Sequence, residues 1–197
     1  MTQKQLILAS SSPHRARALR TLGIEFEVSA PNVDESPVAG ESAEHLSQRL
    51  SLSKAQTVQT KFPLAVVIGS DQVGMCEGQM LGKPGSIEAA RSQLEFLSGK
   101  TAQFFTSLSV VSPTMSPCNG CTMTELRFRP ITRATAQAYV EIDSPLDCAG
   151  SFKSESLGIA LFEWIRSSDP TALVGLPMIA LVTALHSAGI NPIAHPY

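Results

Sequence analysis

An α/β fold with a mixed sheet is predicted by three features. Short apolar runs alternate with amphipathic helical stretches in the first half of the chain, β-rich stretches fill the middle, and a last amphipathic helix occupies residues 176–188. Two consecutive β-rich stretches, 101–111 and 121–129, favour a mixed sheet over a purely parallel one.

Residues 5–9 (QLILA) have the apolar character of a short buried strand, and the serines before Pro13 cap a helix expected to run to about Leu22. Pro13 suits its first turn, and Arg17 and Arg20 fall on the water-facing side. Gly23 stops this helix, a second strand is expected over 26–29, and the acidic, proline-bounded stretch 30–40 is expected to be a loop. Ser42 is placed to cap a long helix over 42–60, with Leu46, Leu50 and Leu52 among its apolar positions.

Residues 64–69 (LAVVIG) give the clearest buried strand, expected to end in Ser70-Asp71-Gln72 before a hairpin carrying Gly78. That placement matters because α/β sheets gather their chemistry at the carboxyl ends of strands. A turn at Gly82-Lys83-Pro84 leads into a helix over 86–97, closed by Ser98-Gly99-Lys100. The Pro/Ser/Cys segment 112–120 is expected to be a loop, 132–140 a short helix, and 148–165 a loop-and-strand region in which Trp164 lies in the core.

The 197 residues suit one domain or two small lobes, and 43% hydrophobic against 16% charged residues marks a chain that folds. A net charge of −2 and a pI near 6.1 exclude a protein that wraps nucleic acid, while leaving room for a small anionic ligand. The first residues lack the apolar stretch of a signal peptide, and no apolar run approaches a membrane-spanning length. A cytoplasmic location is therefore expected. Cys118 and Cys121 form a single CxxC without a convincing second ligand pair from Cys76 or Cys148, so reduced, mostly unreactive thiols are expected.

Four clusters combine turn residues with charge. Ser10-Ser11-Ser12-Pro13-His14-Arg15 follows a strand and opens a helix, where free N–H groups, hydroxyls and a guanidinium can grip an anion. Val33-Asp34-Glu35 and Ser70-Asp71-Gln72 supply the oxygen ligands that Mg²⁺ favours, and Asp71 is also placed to take a proton from water. Lys83, in a proline-fixed turn, and Lys54, on the long helix, are candidate phosphate cations. Neither a Walker A loop nor a Rossmann glycine fingerprint is present.

Seven segments in order, LILASSSPHR (6–15), VDESP (33–37), RLSLSKA (49–55), VIGSDQV (67–73), LGKP (81–84), CAGSFKSESLGIALFE (148–163) and VGLP (174–177), resemble the Maf family. The resemblance covers nearly the whole chain and implies a single domain, 1–197. It implies an elongated mixed sheet with flanking helices, two lobes around a cleft, and kinship to the inosine triphosphatase architecture. It further implies a homodimer, a divalent cation (Mg²⁺, or Mn²⁺ or Co²⁺) and cleavage of a nucleoside triphosphate to the monophosphate and diphosphate. Within the family, Ser70-Asp71-Gln72 and the 148–155 run resemble the branch acting on 7-methyl-GTP. A dTTP/UTP enzyme, or a non-catalytic nucleotide-binding regulator of cell division, remains the alternative.

Carried over by position, the resemblance makes Asp71 the proton acceptor and places Glu35 and Asp71 at the metal. Ser10, Arg15, Lys54 and Lys83 become the phosphate set, and His14, Gln72 and Glu155 the specificity positions. Two positions depart from that branch: His14 stands where Trp or Tyr is frequent, and Ala16 where a second arginine is.

Overall fold

Four apolar residues with no polar interruption, Leu6–Ala9, form strand β1, buried along its whole length. The computed structural model describes residues 4–194. Helix α1 (Pro13–Arg20) leads to the two-residue strand β2 (Glu27–Val28), and helix α2 (Ala43–Gln59) leads to strand β3 (Val66–Cys76). β1 pairs in parallel with β2 on one side and with the first residues of β3 on the other, in the register Leu6↔Val66 to Ala9↔Gly69. Strands buried on both faces must be apolar at every position. Alternation then divides the core: Leu6, Leu8, Val66 and Ile68 pack with Leu19 of α1, whereas Ile7, Ala9 and Val67 pack with Ala55 and Val58 of α2. The first of these clusters also takes Leu181 and Leu185 from helix α5 (Met178–Ser187).

β3 continues to Cys76 and turns at Glu77 and Gly78, both at positive φ (48° and 79°), into strand β4 (Gln79–Leu81). Two left-handed residues in succession are what a tight antiparallel hairpin requires. Helix α3 (Ile87–Leu97), strands β5 (Thr101–Ser112) and β6 (Met115–Phe128), helix α4 (Arg133–Asp143) and strand β7 (Phe162–Ser167) follow. Serine or threonine hydroxyls cap α1, α2, α3 and α4 from Ser12, Ser42, Ser86 and Thr132. Hydrogen bonds set the strand order β2-β1-β3-β5-β6-β7, with β4 on β3. The sheet is mixed, as expected, with β3–β4 and β6–β7 antiparallel.

The chain forms two compact units: Met1–Asp71, Thr106–Thr122 and Asp169–Tyr197 in the first, Gln72–Phe105 and Met123–Ser168 in the second. In the second unit Phe104, Phe128, Phe152 and Phe162 meet edge to face, with centroids 4.9–5.8 Å apart. No helix among the described residues is long and apolar enough to cross a membrane.

Three expectations need correction. The strand read over 64–69 does not end in Ser70-Asp71-Gln72; its pairing with β1 ends at Gly69, and β3 runs on to Cys76 and pairs with β4. Residues 112–120 are not a loop, since all but Pro113 and Thr114 belong to β5 or β6. Pro117 fits within β6 because β7 reaches only Thr124 to Phe128 of that strand, so the missing N–H lies in an edge stretch. Trp164 is half-buried on the outer strand β7, with the Arg166 guanidinium 4.4 Å from its ring centroid, rather than in the core.

Candidate functional site

The end of β1 delivers Ser10 directly to the start of α1. The buried Ser10 Oγ accepts the Ser12 N–H at 3.0 Å and lies 3.5 Å from Arg15 Nη1, while Ser12 Oγ caps the helix by accepting the Arg15 N–H. The Arg15 guanidinium and the positive end of the helix dipole lie beside this hydroxyl, which favours an anion.

Arg15 is held from a distance of 160 residues. Its Nε donates to the Gly175 carbonyl at 2.8 Å, and the buried Ser70 Oγ lies 2.9 Å from the same oxygen. Gly175 adopts φ +103°, a conformation that excludes most side chains, and the Arg15 side chain occupies the space beside it. Burial pulls the Arg15 pKa below its ordinary value, while the charges of Asp71 and Glu35 push it back up.

Lys54 is the centre of the arrangement. Only 5% exposed on α2, it places Nζ 2.6 Å from Asp71 Oδ1 and 2.6 Å from Glu35 Oε1. Taken alone, a lysine on a helix is most often solvated; this one is buried between two carboxylates. Burial raises the Asp71 pKa above the usual aspartate value, opposed first by Lys54 and then by Arg15. The adjacent carboxylates Asp34 and Glu35 separate in role: Asp34 Oδ1 accepts the Ser36 N–H at 2.9 Å and shapes the loop, and Glu35 alone reaches Lys54.

Lys54 reaches Asp71 because α2 lies unusually close to β3. A Cβ on Gly69 would run into the Ser51 carbonyl oxygen and sit 2.9 Å from Ala55 Cβ. On the same helix, the Ser47 and Ser51 hydroxyls bond to those of Ser107 and Ser109 on β5 at 2.8 and 2.9 Å. These positioning residues were not singled out from the sequence. Their signal was there, in Ser47, Ser51 and Ala55 at four-residue spacing together with a glycine inside an apolar strand.

Ser10, Arg15, Glu35, Lys54 and Asp71 thus converge in the first unit, with His14 half-buried in the first turn of α1. Gln72, Lys83 and Glu155 belong to the second unit: Gln72 half-buried on β3, Lys83 exposed between β4 and α3, and Glu155 exposed ahead of the short 3₁₀ helix Leu157–Leu161. The four cysteines are free thiols; burial raises the pKa of Cys76 and Cys121 and pushes Cys148 up to about 12, which makes these three poor nucleophiles.

A mixed α/β sheet carrying a serine-rich helix start, a half-buried arginine and a lysine between two carboxylates defines a class of protein whose chemistry suits an anionic, phosphate-bearing ligand. The chain belongs to the Maf-like protein family, whose profile matches residues 5–188. It is similar to the 7-methyl-GTP pyrophosphatase of Xanthomonas axonopodis pv. citri, with 50% identity over 95% of this chain and 98% of the relative. It is likewise similar to the 7-methyl-GTP pyrophosphatase of Albidiferax ferrireducens, with 47% identity over 96% of each. Among solved structures, protein VC0702 from Vibrio cholerae is similar over 99% of this chain and 100% of its own, with 14% identity and a TM-score of 0.49.

The close approach at Gly69 gives a direct test. Gly69→Ala is expected to push α2 away from β3, lengthen the 2.6 Å Lys54–Asp71 contact and destabilise the fold by about 1–3 kcal/mol. Urea unfolding and a crystal structure of the variant would measure both effects, and an unchanged contact would refute the account.

Proposed function

We propose that this chain is a nucleoside triphosphate pyrophosphatase that hydrolyses 7-methyl-GTP to 7-methyl-GMP and diphosphate. It would thereby keep a modified nucleotide out of nucleic acids. The observation that carries the reading is the buried Asp71, held by Lys54 and neighboured by Glu35 and Arg15. The names of its relatives at 47–50% identity support the choice of nucleotide.

In the proposed reaction Asp71 takes a proton from water as the water oxygen attacks the α-phosphorus. The bond from that phosphorus to the α,β-bridging oxygen breaks, and diphosphate leaves. Arg15, Lys54 and Lys83 stabilise negative charge on the phosphates, and Ser10 offers its hydroxyl. Arg15 is suited to this because Gly175 already fixes its Nε, so little side-chain freedom is lost on binding. Glu155 favours the cationic 7-methylated base by charge; Gln72 offers an amide to its edge, and His14 lies against it.

Glu35 and Asp71 also fit a divalent cation. They already converge on one positive group, the Lys54 ammonium, and carboxylate oxygens are the donors that Mg²⁺, Mn²⁺ or Co²⁺ accepts. Such an ion would screen the phosphate charge.

The first experiment is diphosphate release from 7-methyl-GTP, GTP, dTTP, UTP and CTP with Mg²⁺, Mn²⁺ or Co²⁺. Preference for 7-methyl-GTP is expected, with kcat reduced about 10²–10⁴-fold in Asp71→Asn while nucleotide binding persists. Wild-type turnover in that variant removes Asp71 as the base. Preference for dTTP or UTP discards the base assignment, and binding without release from any nucleotide favours the regulator.

The pH profile supplies an independent check. Asp71 accepts a proton only when ionised, so kcat/KM is expected to fall as pH drops through a value above the ordinary 3.8. Lys54→Met, which removes the largest opposing charge, is expected to move that limb to higher pH; a shift to lower pH would contradict the assignment.

Residues 1–197 are proposed to work as one domain, because β3, β5 and β6 each run through both units. The family resemblance adds a homodimer in the cytoplasm, acting on no nucleic acid polymer and no membrane. One urea transition and a light-scattering mass of two chains are expected; two separated transitions or a single-chain mass would overturn the respective proposal.

A further inference from the structure

The segment that carries Glu155 is fastened to a helix end by groups with no role in the reaction above. Lys153 Nζ donates to the carbonyl oxygens of Asp143 at 2.6 Å and Ser144 at 3.2 Å, the last residue of α4 and its cap. Its backbone N–H donates to the hydroxyl of the buried Tyr139, one turn earlier on α4, at 3.0 Å. Three residues on, Ser156 Oγ donates to Asp143 Oδ1 at 2.6 Å, and the Ser156 N–H closes a turn on the Lys153 carbonyl at 3.2 Å. Gly158 has no room for a Cβ, which would run into that same carbonyl oxygen. The exposed Glu155 therefore sits between two residues tied to the same helical turn.

We propose that Lys153 is a positioning residue for base selection: its ammonium latches the 153–156 turn to the C-terminal carbonyls of α4 and so fixes the direction in which Glu155 is presented. The proposal rests on the reading of Glu155 as a specificity residue. Two of the three ammonium donors are spent on main-chain carbonyls at the negative end of a helix, where a cation is favoured. Ser144 is the feature that exposes them: it caps α4 in the left-handed conformation (φ 45°), which turns the chain away and leaves the carbonyls open to a side chain. Burial raises the pKa of the Tyr139 phenol, so the hydroxyl that accepts the Lys153 N–H stays neutral. Without the ammonium, Glu155 would sample more directions, and the extra affinity for a cationic base would be diluted.

The test compares kcat and KM for 7-methyl-GTP and GTP, with Mg²⁺, in wild type, Lys153→Met, Lys153→Arg, Ser156→Ala and Glu155→Gln. Lys153→Met keeps the aliphatic stem and removes the donors. It is expected to lower the preference for 7-methyl-GTP about fivefold to tenfold through KM, with kcat for both nucleotides within about twofold of wild type. Lys153→Arg, which can still donate to the carbonyl pair, is expected to restore the preference. Ser156→Ala, which loosens the other end of the turn, is expected to shift it in the same direction, and this variant carries the test if Lys153→Met does not fold. Adding Lys153→Met to Glu155→Gln is expected to cost no further selectivity, since both act through one carboxylate.

Wild-type preference in Lys153→Met or, should that variant not fold, in Ser156→Ala, alongside a lost preference in Glu155→Gln, overturns the latch and leaves Glu155 in its role. An equal loss of kcat on both nucleotides also overturns it. Unchanged preference in Glu155→Gln removes the reading of Glu155 itself and the latch with it.

Discussion

An ammonium shared by two carboxylates is the contact on which the first unit depends. Removing an ionised carboxylate from water costs several kcal/mol unless an opposite charge and hydrogen bonds replace the lost hydration. Lys54 supplies that replacement for Asp71, but only from a helix close enough to bring a buried ammonium within 2.6 Å. The approach in turn requires Gly69 beneath α2 and the small residues Ser51 and Ala55 above it. Each local choice serves one charge pair. Burial nevertheless outweighs that replacement, so Asp71 holds its proton to a higher pH than an ordinary aspartate. This contribution to stability is fully present below the ordinary 3.8 and is lost as pH rises through the raised value.

The second constraint is the Gly175 carbonyl, which orients Arg15 and lies within reach of Ser70. The stretch around it is itself braced. Asp169 accepts the Thr171 and Ile179 N–H groups at 2.9 and 2.8 Å, and Thr106 Oγ1 donates to Ala172 O at 2.9 Å. The start of α5 is therefore capped by an acidic side chain nine residues upstream, not by Pro177 at its N-cap position. A short arginine-bearing helix at one end of the chain thus takes its geometry from a loop near the other.

Much of this was legible in the sequence because local rules act over a few residues. Ser12, Ser42, Ser86 and Thr132 mark helix starts by hydroxyls that satisfy free N–H groups, and LILA and VVIG mark buried strands by lacking polar interruptions. The acidic and basic members of the first-unit site were also readable as clusters. What local rules could not give was reach. The strand read from LAVVIG was expected to end in Ser70-Asp71-Gln72, yet backbone pairing with β4 carries β3 on to Cys76. The 112–120 stretch had loop composition but sits in a hairpin whose partner strand decides its conformation. Lys54 and Lys83 were indistinguishable as letters; burial between Glu35 and Asp71 separates them.

The discontinuity of the first unit bears on the order in which the chain is synthesised. β1 emerges from the ribosome early, but Leu6 and Leu8 pack against Leu181 and Leu185, which follow some 175 residues later. Until α5 is made, that face of the growing sheet has only part of its cover, from Leu19 and its neighbours on α1, while all residues of the second unit are already available by Ser168. A chain cut before α5 is therefore expected to leave part of an apolar strand uncovered, which favours aggregation.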